Sequence, residues 1–177
     1  MTTDELGSLV RTIPDYPSSG IQFRDVTTLL LDPAGLRETV EQLARTVTDQ
    51  PDLIAAVEAR GFVVGAALAV RLACGLLLVR KDGKLPGETI AEDYTLEYGT
   101  DRLAIHVDAC TPGARVLVVD DLLATGGTAL AAVRLVRRAG GVVTGARFVI
   151  DLPELGGAGV LRAAGVEVAA LIEFAGA

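Results

Sequence analysis

Two adjacent carboxylates, Asp120 and Asp121, are followed closely by Ala124-Thr125-Gly126-Gly127-Thr128. Glycines without a Cβ let backbone N–H groups close round an anion. Two threonine hydroxyls add donors, and a helix opening there adds the partial positive charge of its N-terminus. That set suits one phosphate monoester. Carboxylates touching the same phosphate would repel it, so Asp120 and Asp121 should face a neutral group that donates hydrogen bonds, since ionised carboxylates only accept them. A ribose diol fits, and the joint ligand becomes a ribose 5-phosphate. TGGT alone would read as a glycine-containing helix cap; behind two carboxylates that end an apolar strand, it reads as a binding turn.

A second chemistry is cationic. The chain has 14 arginines but two lysines, and both lysines lie in Arg80-Lys81-Asp82-Gly83-Lys84. From Arg60 through Lys84, five basic residues stand against one acidic, in a chain whose formal charge is −7. Local cations on an acidic body can steer a small anion; the plainer reading is a solvated basic turn. Compact ammoniums suit a diphosphate that must be held and released. Glu58-Ala59-Arg60-Gly61-Phe62 follows an apolar strand and starts a helix, so free amides and the Arg60 guanidinium could hold pyrophosphate oxygens. Phe23, in Gly20-Ile21-Gln22-Phe23-Arg24-Asp25, reads on its own as core, although a flat aromatic can also stack on a nucleobase.

Composition narrows the alternatives. A chain of 177 residues, 50% hydrophobic and 22% charged, can bury a core in one domain and is not disordered. Its acidity argues against nucleic acid as a partner. One histidine, His106, and two cysteines, Cys74 and Cys110, form no CxxC pair, no HExxH and no triad needing a second histidine. No GxxxxGK[ST] occurs, and no GxGxxG opens a helix. Few cysteines without a framework fit a reducing cytoplasm, and MTTDELGSLV lacks the basic and apolar regions of a signal peptide. Residues 61–79 are apolar apart from Arg71; they read as a buried helix through Ala73 and a strand from Leu76, divided at Gly75, with no membrane span.

The elements that must position these groups follow from periodicity. Thr2 and Glu5 form a possible capping box, and Leu6, Leu9, Val10 and Ile13 continue at helical spacing to Pro14. Asp32 caps a helix that begins at Pro33 and carries the stripe Leu36, Val40, Leu43 and Val47. Strands are expected at 53–57, 76–79, 116–119, 142–150 and 166–172, with helices near 61–73 and 127–139 between them. Apolar strands alternating with helices imply a mostly parallel sheet covered on both faces. Ligands then sit beyond the strands' C-terminal ends, after Val57, Val79 and Val119. Residues 81–100 read as one long connection holding Tyr94 and Tyr98, two of three tyrosines. It is either a lid or an arm packed on the body or on a partner.

VLVVDDLLATGGTA, residues 116–129, resembles the phosphoribosyl-pyrophosphate (PRPP) signature of the type I phosphoribosyltransferases. With EARGF at 58–62, RKDGKLPG at 80–87, LEYG at 96–99 and GIQFRD at 20–25, the chain is similar to the adenine phosphoribosyltransferase family from Ile13 to Phe174. The resemblance implies an α/β, type I phosphoribosyltransferase fold in one domain over 1–177. Its mostly parallel central sheet is flanked by helices, with a small N-terminal hood over about 1–32 that also binds the base, and a flexible lid over about 81–100. It implies a purine salvage enzyme that transfers the 5-phosphoribosyl group of PRPP to adenine, giving AMP and pyrophosphate. Asp120 and Asp121 would hold the ribose, residues 124–128 the 5-phosphate, and Arg60, Lys81 and Lys84 the pyrophosphate. Phe23 would stack on adenine, the backbones of Gln22 and Arg24 would read its edge, and Leu122 or Leu123 would cover its other face. Glu97 is the implied catalytic residue, as acid/base on the purine or as stabiliser of the sugar cation, with Tyr98 beside it in the lid. Mg²⁺ is implied as cofactor, held mainly by PRPP or pyrophosphate oxygens and water, with no protein metal site. A homodimer in the cytoplasm and a cis Glu58–Ala59 bond complete the implication. Two places depart from the common pattern: Val57-Glu58-Ala59, which stands for a serine-containing form in some relatives, and Gln22, where an apolar residue is common. Proteins of similar fold that sense PRPP without base chemistry are the competing class; this chain has LEYG and no basic nucleic-acid face to set against them.

Overall fold

The computed structural model describes residues 1–96 and 99–176. Thr2 caps α1 (Thr3–Ser8) with the expected box: its hydroxyl accepts from Glu5 N at 3.2 Å, and Glu5 Oε2 accepts from Thr2 N at 2.7 Å. The helix does not continue to Ile13. Arg11–Pro14 forms a strand, β1, paired antiparallel with β2 (Gln22–Asp25). The cause is long-range: β-branched Thr12 and Ile13 suit a ladder, and Arg11 pairs with Asp25 across it. After α2 (Thr27–Leu31) comes α3 (Pro33–Arg45), where Asp32 accepts from Gly35 N at 2.6 Å. Val40 and Leu43 of the expected stripe are buried, and Leu36 and Val47 half-buried.

The rest of the chain is β3 (Leu53–Val57), α4 (Arg60–Leu72), β4 (Gly75–Lys81), β5 (Thr89–Leu96), β6 (Gly99–His106), β7 (Arg115–Leu123), α5 (Gly127–Arg138), β8 (Val142–Asp151), α6 (Gly157–Ala163) and β9 (Val168–Glu173). They build one sheet in the order β5-β6-β4-β3-β7-β8-β9. The five strands from β4 to β9 in that order are parallel, and the β5–β6 hairpin joins antiparallel. One core cluster, including Val118, Phe148 and Leu135, lies under α5 and α6; the other, including Ile54, Val119 and Leu68, lies under α1 to α4. Strand order reverses between β3 and β7, which leaves a crevice beyond their C-terminal ends.

Three expectations need correction. First, β7 does not stop at Val119: β8 keeps pairing with it through Asp120↔Phe148 and Leu123↔Asp151, so both carboxylates lie inside the strand. Second, residues 81–100 are not one long connection. Thr89–Leu96 pairs along its length with Gly99–His106. Glu92 binds Arg138 at 2.8 Å on α5, and Ile90 and Tyr94 pack on the core, so the arm is pinned to the body. Third, Gly75 is not the divider: α4 ends as expected, with Ala73 as its left-handed cap (φ 52°), and Gly75 is already the first residue of β4. Gly75 is small for a different reason, because a Cβ there would lie 2.6 Å from Leu53 Cδ2. None of the described helices is long and apolar enough to cross a membrane.

Candidate active site

A cavity of about 460 Å³ opens at the crevice, between the β3–α4 corner and the β7–α5 turn. Residues 58–60 line one side, residues 120–129 the other, and Tyr94 of the arm closes on it as well. The turn owes its shape to two glycines. Gly126 has φ 84°, and a Cβ there would press within 2.9 Å of the Gly157 carbonyl. Gly157 N in turn donates to Ala124 O at 3.1 Å, and a Cβ on Gly157 would collide with that oxygen. Helix α5 begins at Gly127 with no side-chain cap, so its first amides stay available to a ligand. Thr125 and Thr128 sit on the same wall.

The carboxylate pair is buried and strained electrostatically. Asp120 Oδ1 accepts from Asp121 N at 2.8 Å, and Gly61 makes room for it, since a Cβ there would lie 2.6 Å from that oxygen. Burial and then the neighbouring Asp121 charge push the Asp120 carboxyl well above the usual range. Burial also raises Asp121, against the opposing pull of the Arg60 guanidinium. Arg60 Nε lies 2.8 Å from Asp121 Oδ2, yet that oxygen accepts no hydrogen bond. The pair is held by charge and leaves acceptor capacity unused.

A second cavity, of about 290 Å³, adjoins the first through Arg60, Leu122 and Ala124. Its walls are mostly apolar: Ile21, Phe23, Leu122, Leu152 and Leu155. Phe23 is braced edge-on by Tyr16, with ring centroids 5.2 Å apart, and the Arg60 guanidinium lies 5.2 Å from the centroid on which it faces. Gln22 and Arg24 line this cavity too. The Arg24 guanidinium turns elsewhere, to Thr12 Oγ1 and the carbonyls of Ala175 and Gly176, and covers the Phe174 ring at 4.5 Å. That leaves its main chain for the cavity.

Most of the expected residues therefore meet: Phe23, Gln22, Arg24, Arg60, Leu122 and 120–128. Leu123 faces the larger cavity and the core instead of the smaller one. Lys81 and Lys84 line neither cavity. Lys81 Nζ sits 2.9 Å from Asp101, which raises its pKa, and Lys84 O accepts from Arg80 at 2.9 Å. Glu97 and Tyr98 lie outside the described residues. The Glu58–Ala59 bond is cis, as the resemblance implied. Glu58 and Tyr94, noted in the sequence without an individual role, line the larger cavity, and Leu152 and Leu155, which sequence reasoning did not single out, line the smaller one. Glu58 accepts from Lys81 N at 2.9 Å, which holds its carboxyl below the usual range. The signal for Leu152 and Leu155 was their place just after β8, on the same sheet edge.

A family model described as the phosphoribosyl transferase domain matches residues 26–154. The adenine phosphoribosyltransferase of Sphingopyxis alaskensis is 58% identical over 173 residues, 97% of this chain and 94% of its own. The crystal structure of the adenine phosphoribosyltransferase from Thermoanaerobacter pseudethanolicus superposes with a TM-score of 0.93 at 47% identity, covering 98% of this chain and 100% of that one. The Saccharomyces cerevisiae enzyme, solved with an imino-altritol bisphosphate and adenine, gives 0.89 at 34% identity, with 96% and 97% covered.

Proposed function

The chain belongs to the adenine phosphoribosyltransferase family, and from that premise we propose how its residues divide the transfer of a 5-phosphoribosyl group from PRPP to adenine. The reaction breaks the bond between the anomeric carbon and the pyrophosphate oxygen. It forms a bond from that carbon to adenine N9, which gives up its proton. An oxocarbenium-like state needs no protein nucleophile, so positioning and charge stabilisation carry the rate.

The observation that carries the assignment is the junction of the two cavities at Arg60, Leu122 and Ala124. One cavity has the donors for a phosphate and acceptors for a diol; the other has flat apolar walls for a purine. The 5-phosphate takes the amides and hydroxyls of residues 124–128, and Asp120 and Asp121 accept from the ribose 2- and 3-hydroxyls. Adenine lies between Phe23 and Leu122, its edge read by the main chain of Gln22 and Arg24. Arg60 neutralises the departing pyrophosphate, with Lys81 and Lys84 at the rim of the same corner. Glu97 acts on the purine proton or steadies the sugar cation, the lid lies within residues 81–100, and residues 1–32 form the hood.

Bound to PRPP, Mg²⁺ would supply positive charge to the pyrophosphate oxygens. The chain's own residues fit a substrate-held ion. The unfilled Asp121 Oδ2 in the larger cavity could accept from water on such an ion.

A homodimer is supported by apolar surface. Val63 and Val70 of α4 are exposed, as are Leu76 and Leu78 on the same side of β4, where Gly75–Val79 pairs with β3 alone among the described residues. A cytoplasmic setting suits the two free cysteines. The test of the chemistry is Glu97→Ala: PRPP affinity should hold while turnover falls at least about tenfold, about 1.4 kcal/mol. Unchanged turnover would remove Glu97 from the reaction.

A further inference from the structure

We propose that Tyr94 is a further substrate-binding residue: its hydroxyl, aimed by Asp101, donates to the 5-phosphate from the side of the turn that residues 124–128 leave open. The inference rests on reading that turn as the monoester site. Three observations carry it.

Tyr94 lines the larger cavity together with Thr125, Gly126, Gly127 and Thr128. It is the arm's only contribution to that wall among the described residues. The ring packs on the core beside Ile90, and within the arm the hydroxyl meets its cross-strand partner Asp101. A phenylalanine would pack as well.

The ring is also fixed relative to the turn. Glu92, two residues before it, binds Arg138 at 2.8 Å and Arg134 at 3.4 Å, and Arg138 donates to Ala91 O at 2.7 Å. Arg134 and Arg138 belong to α5, the helix whose first amides form the turn. The hydroxyl and the amides are thus mounted on one body, and little ordering entropy would be lost when a ligand bridges them.

Third, the hydroxyl is poised to change partners. It donates to Asp101 Oδ2 at 3.2 Å, long for an O–H···O bond. The same oxygen has a closer partner in Lys81 Nζ, at 2.9 Å. Asp101 therefore stays satisfied if Tyr94 turns its proton away, and the lysine cancels a charge that would otherwise repel a phosphate. Thr128 neighbours the phenol on the cavity side. Burial, and then Asp101, raise the Tyr94 pKa, which keeps the phenol a donor over the whole neutral range. Asp101 is a positioning residue in this scheme: it reaches the ligand only through Tyr94.

The experiment compares Tyr94→Phe, Asp101→Asn and Thr128→Val, with AMP, ribose 5-phosphate and adenine as separate titrants. Phenylalanine keeps the packing. It should weaken AMP and ribose 5-phosphate about tenfold, the range for a hydrogen bond to a charged group, and leave adenine binding unchanged. The loss should appear in KM for PRPP rather than in kcat, because the contact is equally strong before and during bond breaking. Asp101→Asn, which keeps an acceptor, should cost about two- to threefold on the same two ligands. It should also move the alkaline fall of AMP affinity, which follows ionisation of the phenol. A structural role for Asp101 would leave that limb in place. If Tyr94→Phe binds AMP as the wild type does while Thr128→Val binds it poorly, Tyr94 is no ligand of the phosphate and the turn still is. If neither variant weakens AMP, the turn itself has been misread.

Discussion

The two halves of the cleft are built by different means. The phosphate and ribose side stands on buried parallel strands and the start of α5, and its working groups are backbone amides and two carboxylates held within β7. The base side stands on the peripheral β1–β2 ribbon and the Pro153–Leu155 turn, and its working groups are the faces of half-buried apolar side chains. In the proposed binding mode the monoester is gripped mainly by backbone, which side-chain substitution reaches least, whereas the base is enclosed by apolar side chains with the main chain of Gln22 and Arg24 at its edge.

That contrast can be broken from either side. Gly126→Ala should have the largest effect: it strains a residue at φ 84° and pushes the Gly157 carbonyl, lowering kcat/KM for PRPP about a hundredfold. A mild effect would mean that the backbone turn is not what holds the anion.

Arg60→Met should follow, with more than a tenfold loss in turnover number over KM for PRPP. It also tests the electrostatics. Arg60 lowers the Asp121 pKa against burial, so its removal raises that pKa further. An ionised Asp121 is needed to accept from the ribose, so the acid limb of the pH–rate profile should move to higher pH. A limb that stays put would separate Arg60 from Asp121.

Phe23→Ala should raise KM for adenine about tenfold, from lost stacking, while KM for PRPP holds. Equal losses for both substrates would erase the division between the halves.

The smallest effect is expected from Arg11→Met at the root of the ribbon. The Arg11 side chain, followed by Thr27, holds Asp25 down to about 2. A depressed carboxylate contributes stability present above its unfolded pKa, near 4, and lost as pH falls through 2. The variant should be about 1 kcal/mol less stable at pH 6, with a flatter stability–pH slope between 4 and 2, read by urea unfolding. An unchanged slope would remove the pair from the ribbon's support.

The same division explains what could be read from the residues alone. Asp120 to Thr128 was legible because a strand, two acids, a glycine turn and a helix start are all local signals. So were the caps at Thr2 and Asp32. The ribbon was not: Leu9, Val10 and Ile13 share a helical spacing, and only pairing with a strand eleven residues on turns 11–14 into β1. The arm was hidden for the same reason, since Thr89–Leu96 gains its regularity from Gly99–His106 and from Glu92 reaching α5. Leu152 and Leu155 are marked by no local pattern. Their function depends on where β8 ends, and that emerges only when the sheet order is known. Ala73 closes α4 in a conformation usually left to glycine, which no local pattern announces.

In the proposed binding mode the Ala124–Thr128 turn takes a phosphate monoester while the acid pair beside it takes the attached sugar. A crystal structure of the AMP complex tests it most directly. The monoester oxygens should lie on the amides of Gly127 and Thr128, the sugar hydroxyls on Asp120 and Asp121, and the purine against Phe23. A nucleotide bound elsewhere, with that turn vacant, would contradict it.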